Sequence, residues 1–219
     1  MKLSHKQKII ITTAIAALGY FIDIFDAVLF TMLRTKSLSS LGIDPDAILS
    51  SGIHLINTQL SGMLIGGLTF GIIADKFGRK KLLIGSILIY SSATLLNAYV
   101  TNLPWYFVCR FFAGLGLGAE GGLALTLVSE LVSKKSRGLL PALVATCGTA
   151  GAAVASIVGQ FLTWQMAYIV GGLMGLFLML FRVGAIESSI YLSTAENKAV
   201  KRGIVILKRN VAKRSWITE

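Results

Sequence analysis

Four charged side chains, Asp23, Asp26, Arg110 and Glu120, stand inside long apolar runs of the sequence. A charge near the middle of a hydrocarbon layer costs about 2.5–3.5 kcal/mol on insertion scales, so residues of this kind persist for a reason. An arginine and a carboxylate that meet in such a place neutralise each other, and a proton on the acid releases the arginine. The chemistry on offer is a proton switch, provided that the elements carrying these residues bring them to one depth.

Those elements follow from composition. Of the 219 residues, 54% are hydrophobic and only 14% charged, with 23 Gly against 3 Pro. A water-soluble domain cannot be built from that mixture, whereas an integral membrane protein can. Six apolar runs, near 9–33, 51–74, 82–101, 105–130, 139–161 and 164–185, are each long enough to cross the core of a bilayer as a helix. The expected fold is an all-α integral membrane bundle of six transmembrane helices over residues 1–186, followed by a basic cytoplasmic segment over 187–219. The first run is too long for a signal peptide, holds two Asp and lacks a small-residue cleavage site, so it reads as a retained span.

Charge sets the orientation. With both termini in the cytoplasm, 18 of the 21 Lys and Arg lie on the inner side, leaving Arg34 and Lys36 outside and Arg110 within a span. The positive-inside rule thus accounts for a net charge of +11 without any nucleic-acid partner. In the external connection, about 34–50, "LGIDPDAI" carries a turn signal and a helix start at Asp44 or Pro45. The tail "NKAVKRGIVILKRNVAKR" interleaves cations with aliphatics and suits the anionic inner leaflet of the lipid bilayer; a partner-binding tail is the alternative.

With about 1.5 Å of rise per residue, Asp23 lies roughly 21 Å and Asp26 roughly 25 Å above the inner face, and Arg110 comes down to roughly 21 Å. The arginine and both acids therefore share a depth. Glu120 falls about 6 Å from the inner face by the same count. It is either a cavity carboxylate for solute or proton, or a helper of a cytoplasmic latch. Plain alternatives are structural acids and an Arg110 that snorkels to the outer headgroups.

Other constellations are missing. The sequence has no nucleophile–base arrangement, no metal cluster and no phosphate loop, so an enzyme, a metal site or a cofactor is not expected. Gly114, Gly116 and Gly118 follow no strand and lie in a span, which points to close helix packing rather than to a dinucleotide loop. Cys109 and Cys147 also fall inside spans and read as small packers. Asn57, Gln59, Gln160 and Trp164 are candidate cavity contacts for a small solute.

The second span stops abruptly in "GIIADKFGRKK", residues 71–81. Gly71 allows a neighbouring helix to approach, and Asp75 at a helix end can accept from the unpaired N–H groups that start another helix. Gly78 permits a tight reversal, and Arg79, Lys80 and Lys81 can bind carboxylates. These are the parts of a latch.

The stretch resembles the loop between helices 2 and 3 of the major facilitator superfamily, G-x-x-x-D-[RK]-x-G-R-[RK]-[RK], at every defined position. "RFFAGLGLGAEGG" (110–122) and "SELVSKKSRG" (129–138) resemble the fourth helix and the following E-x6-R-G stretch of its sugar-porter and aromatic-acid/proton-symporter branches. "ESSIYL" (187–192) resembles their P-E-S-x-R-[YF]-L, with Ile186 in place of Pro and Ile190 in place of Arg.

The resemblance implies one major-facilitator half-bundle, the N-terminal one. It implies a cytoplasmic gate of Gly71, Asp75, Gly78, Arg79 and Lys80 joined by Glu130 and Arg137. It implies proton coupling through an acid of the first helix and Arg110; "FDAV" favours Asp26, while "DIFD" keeps Asp23 in contention. The fifth span, "GTAGAAVASIVGQ", lacks the Pro of the drug-antiporter pattern, which argues against drug export. The function implied is proton-coupled uptake of a sugar, organic acid or amino acid by alternating access across a bacterial inner membrane. The alternative is a truncated, non-transporting half or an assembly partner that needs a second six-helix bundle, and a homodimer would be a third arrangement.

Overall fold

The computed structural model describes residues 5–77, 79–131 and 139–181. Among them are six helices and no strand: α1 His5–Ser40, α2 Pro45–Phe77, α3 Arg79–Asn97, α4 Leu103–Leu131, α5 Leu139–Phe161 and α6 Trp164–Phe181. Pro45–Ala74, Ala142–Phe161 and Trp164–Phe181 are long and apolar enough to cross a membrane, and Lys81–Asn97 is a shorter apolar helix.

The helix ends are chemically marked. Asp44 caps α2 by accepting from Asp46 N at 3.3 Å, with Pro45 in the first helical position, where its missing N–H costs nothing. Asn102 caps α4 through Trp105 N at 2.9 Å, and Thr163 caps α6 through Met166 N at 3.4 Å. At the other end of α1, Gly42 adopts φ 75°, Gly42 N donates to Ser39 O at 3.1 Å and Ile43 N donates to Leu38 O at 3.2 Å. This is a Schellman ending, and it falls later than the sequence suggests. The external connection expected over about 34–50 shrinks to residues 41–44, because α1 continues through Arg34, Lys36 and Ser37. Lys36 Nζ donates to Gly159 O on α5 at 2.9 Å, and Ser37 and Leu38 are fully buried, so tertiary contacts hold this polar extension in the helix.

α2 lies along α4, α1 along α5, and α3 against α4. α6 fits between α1 and α3, since Gly171 meets Phe25 and Leu29 of α1 and Thr94 of α3. Lipid tails are as apolar as leucine, so helices in a membrane associate by close packing rather than by escape from water. The α2–α4 seam shows how. A Cβ on Gly62 would overlap the carbonyl oxygen of Phe111, one on Gly66 that of Leu115, one on Gly114 that of Gln59, and one on Gly118 that of Met63. Four glycines, two from each helix, bring the two backbones together.

The largest core cluster gathers Phe25, Leu29, Phe30 and Leu33 of α1 with Tyr106 and Cys109 of α4 and Ala167 and Tyr168 of α6. A second cluster joins Ile22, Tyr90, Leu117 and Leu178, and a third Ala74, Leu83 and Ile87. Both cysteines are free thiols, Cys109 buried and Cys147 partly so.

Candidate buried charge site between helices 1, 3, 4 and 6

Asp26 follows one turn after Ile22 on the inward face of α1, and Arg110 lies one residue beyond Cys109 on α4. Both are fully buried, and Arg110 Nη1 is 3.7 Å from Asp26 Oδ2. That separation is too long for a hydrogen bond, so the contact is Coulombic. The other carboxylate oxygen, Oδ1, faces the Thr94 hydroxyl, which donates at 3.5 Å.

Arg110 is held mainly by groups other than the acid. Its Nε donates to Asn97 Oδ1 at 3.2 Å, and Asn97 Nδ2 in turn donates to Ala93 O at 2.8 Å, fixing the amide. The guanidinium carbon lies 4.4 Å from the ring centre of Phe30 and 4.8 Å from that of Tyr168. The ring quadrupoles stabilise the cation where water is excluded.

Tyr168 is itself anchored. Ser37 Oγ gives its proton to Arg34 O at 2.9 Å, so Tyr106 donates to Ser37 at 3.0 Å and Tyr168 donates to Tyr106 at 2.7 Å. This chain of hydroxyls ties the end of α1 to the ring under Arg110. Tyr168→Leu removes the ring and the hydroxyl together and is expected to cost about 2 kcal/mol or more. Tyr168→Phe keeps the ring and is expected to cost about 1 kcal/mol. Unfolding of the purified chain in mixed micelles ranks the two, and equal losses would mean that the ring contributes nothing.

The structure therefore brings Asp26 and Arg110 together, and of the two acids in "DIFD" it is Asp26 that Arg110 meets. Asp23, half-buried, lies nearly one turn earlier on α1. Glu120 is buried ten residues beyond Arg110 on α4, about 15 Å farther along the helix. Gln59 is buried against α4, whereas Asn57 and Gln160 are exposed on α2 and α5. Trp164 is half-buried and meets Tyr168 edge to face at 6.3 Å.

The gate residues are less fully described. Gly71 is exposed, and nothing among the described residues lies within 4 Å of where its Cβ would be. Asp75 is on the last turns of α2, Arg79 and Lys80 open α3, and Glu130 is at the end of α4, with side chains outside the described set. Gly78 and Arg137 lie outside the described residues altogether.

Sequence reasoning missed Thr94, Asn97, Phe30, Tyr106 and Tyr168. Two of them carried a signal: Thr94 and Asn97 are polar residues three apart in an apolar span, hence on one helix face.

Comparison with known proteins accords with this geometry. The family model of the Major Facilitator Superfamily matches residues 9–217. The chain is 32% identical to the niacin transporter NiaP of Acinetobacter baylyi over 81% of its own length and 40% of that protein. It is 34% identical to the 4-hydroxybenzoate transporter PcaK of the same organism, over 71% of the chain and 35% of that protein. It is also 34% identical to the sialic acid transporter NanX of Escherichia coli, over 79% and 43%. It superposes with a TM-score of 0.73 on a structure of the proton:xylose symporter XylE, at 17% identity, over 89% of the chain and 49% of that structure. That likeness is one of fold, and the chain spans about half the length of the proteins it matches or less. These relatives are carriers and not enzymes, and a match that runs through nearly all of this six-helix chain places it in the Major Facilitator Superfamily.

Proposed function

We propose that these helices form one half of a proton-coupled carrier that moves a small organic acid across the bacterial plasma membrane by alternating access, with both termini in the cytoplasm. The observation that carries this reading is the fully buried Arg110–Asp26 contact. With Asp26 ionised the pair is neutral. A proton on Asp26 leaves Arg110 with an uncompensated charge, which favours an anionic solute beside it. Niacin, 4-hydroxybenzoate and sialic acid, named for three relatives, all carry a carboxylate, and that supports an acid over a neutral sugar.

The other wall of the solute site belongs to a second six-helix bundle. α2 exposes Leu60, Leu64, Leu68 and Ile72 at four-residue intervals beside the open Gly71, a stripe that suits a facing helix. The proteins it matches are about twice as long or more, which favours a reading in which transport requires that second bundle, from a longer chain or from a second copy.

The test is uptake of labelled nicotinate and 4-hydroxybenzoate into liposomes under an inward proton gradient. Accumulation is expected to vanish in Asp26→Asn while solute exchange at equal pH persists. Undiminished accumulation by Asp26→Asn would sink the proton-coupled reading. No uptake by a monomer, with uptake restored by a second bundle, would establish the half-carrier.

A further inference from the structure

The charge count leaves two cations, Arg34 and Lys36, on the outer side, and the structure accounts for one of them. Lys36 is spent on Gly159 O, one of the last carbonyls of α5, which the helix itself leaves unpaired. Arg34, two residues earlier, has no such task. Nor does its side chain reach up to the headgroups as a snorkelling arginine's does. It lies across α2, with Cδ and Nε 3.6 and 3.7 Å from where a Cβ on Gly52 would be, and its Nη1 is buried without a hydrogen-bond partner among the described residues. An arginine cannot shed its charge, so a buried N–H that it leaves unpaired is costly and calls for an explanation.

The surroundings of Arg34 supply one. Ala27, Thr31 and Thr35 follow at four-residue intervals on α1, and all three are exposed. α5 meets α1 at Phe21 and Met32, and α2 meets it at Arg34 and Leu38, so this face is the opening between them. Its residues are small or hydroxylic, whereas α6 turns Leu173, Phe177 and Leu180 outward, as a face against lipid tails does. The open face of α1 therefore suits water and solute.

Arg34, three residues beyond Thr31, borders this face at its outer end, eight residues and about 12 Å above Asp26. The same residue is tied to the buried site. Its carbonyl accepts the Ser37 proton that starts the hydroxyl chain, and that chain ends on the Tyr168 ring, 4.8 Å from the Arg110 guanidinium. Two arginines are thus held on one scaffold, one at the outer end of the open face and one behind it.

We propose that Arg34 is the outer capture site for the organic acid. Its guanidinium binds the carboxylate beside Nη1, and the acid then passes along Thr31 and Ala27 to Arg110 once Asp26 has taken a proton. The ligand class is a small carboxylate held by a planar fork, a task that the point charge of a lysine matches less well. This inference rests on the reading above that the solute is an acid.

Side-chain nitrogen resonances of isotope-labelled arginine in the full chain, held in nanodiscs of zwitterionic lipid at fixed ionic strength, test it. Arg34→Lys and Arg110→Lys assign the two lines. Titration with 4-hydroxybenzoate is expected to move the Arg34 line to saturation, while the methyl ester of that acid and chloride leave it in place. An Arg34 line that stays put while the Arg110 line moves would overturn the capture site and leave the acid reading standing. Both lines unmoved would sink the two together. An Arg34 line that moves as far with chloride, or with anionic lipid alone, would reduce the site to an adventitious anion or headgroup contact and reject the proposal. In the uptake assay above, Arg34→Gln is expected to raise the half-saturating acid concentration about tenfold, the weight of one charge-assisted contact. An unchanged value there would also count against capture by Arg34.

Discussion

Arg110→Gln is expected to lower the stability of the bundle by about 3–5 kcal/mol, because it leaves a fully buried carboxylate without its cation. The loss is not the worth of the 3.7 Å contact itself, which lacks a hydrogen bond. It is the cost of a fully buried Asp26 left without its cation, with the Thr94 hydroxyl at 3.5 Å as its remaining side-chain donor among the described residues. The double variant Asp26→Asn/Arg110→Gln removes both charges, and two neutral amides can satisfy Thr94 and Asn97. It is expected to regain most of the lost stability, since a buried ion pair replaced by neutral groups is often close to neutral overall. Unfolding of wild type, both single variants and the double in mixed micelles forms the cycle that isolates the pair. A double variant as unstable as the sum of its singles would mean that the two residues do not interact. On the proposed function the double variant folds but accumulates no solute, so stability and transport part company at this one pair.

The Asp26–Arg110 meeting was legible because rise per residue is fixed: counting along two spans gives depth without any knowledge of packing. Depth does not give rotation about the helix axis. That is why counting alone did not separate Asp23 from Asp26, the resemblance of "FDAV" only favoured Asp26, and the folded bundle is what shows Asp26, one turn from Ile22, beside Arg110. The same ignorance of rotation hid the aromatic slot. Phe30 is four residues after Asp26 and shares its face, but Tyr168 arrives from α6, and no spacing links residues 110 and 168. Asn57 and Gln160, expected as cavity contacts, lie on exposed faces of α2 and α5 away from the buried pair, and spacing alone does not tell a face turned to a cavity from one turned to lipid. The end of α1 was misjudged because Arg34, Lys36 and Ser37 resemble loop chemistry, whereas the Lys36 bond to Gly159 O and the burial of Ser37 keep them helical.

Gly118→Ala is expected to destabilise by about 3 kcal/mol, the upper end of overpacking, although alanine is the better helix former. The sign is decided by what the new methyl would meet. At Gly118 it is the carbonyl of Met63, and at Gly66 that of Leu115, both backbone groups that cannot swing aside as a side-chain end would. α2 and α4 must therefore separate, and every close approach along their seam is lost with the one that was mutated. Gly66→Ala and Gly118→Ala should accordingly fall short of additivity when combined, since the first already opens the seam. Gly85→Ala is the control, with nothing within 4 Å of its new methyl, and there the helix propensity alone should give a gain of up to about 1 kcal/mol. Unfolding midpoints of the three variants in mixed micelles decide the matter. Gly118→Ala as stable as Gly85→Ala would mean that the seam is not closed. A lost seam has a further consequence, because α4 carries both Arg110 and Glu120. The glycines that let α2 approach α4 also fix where those charges sit.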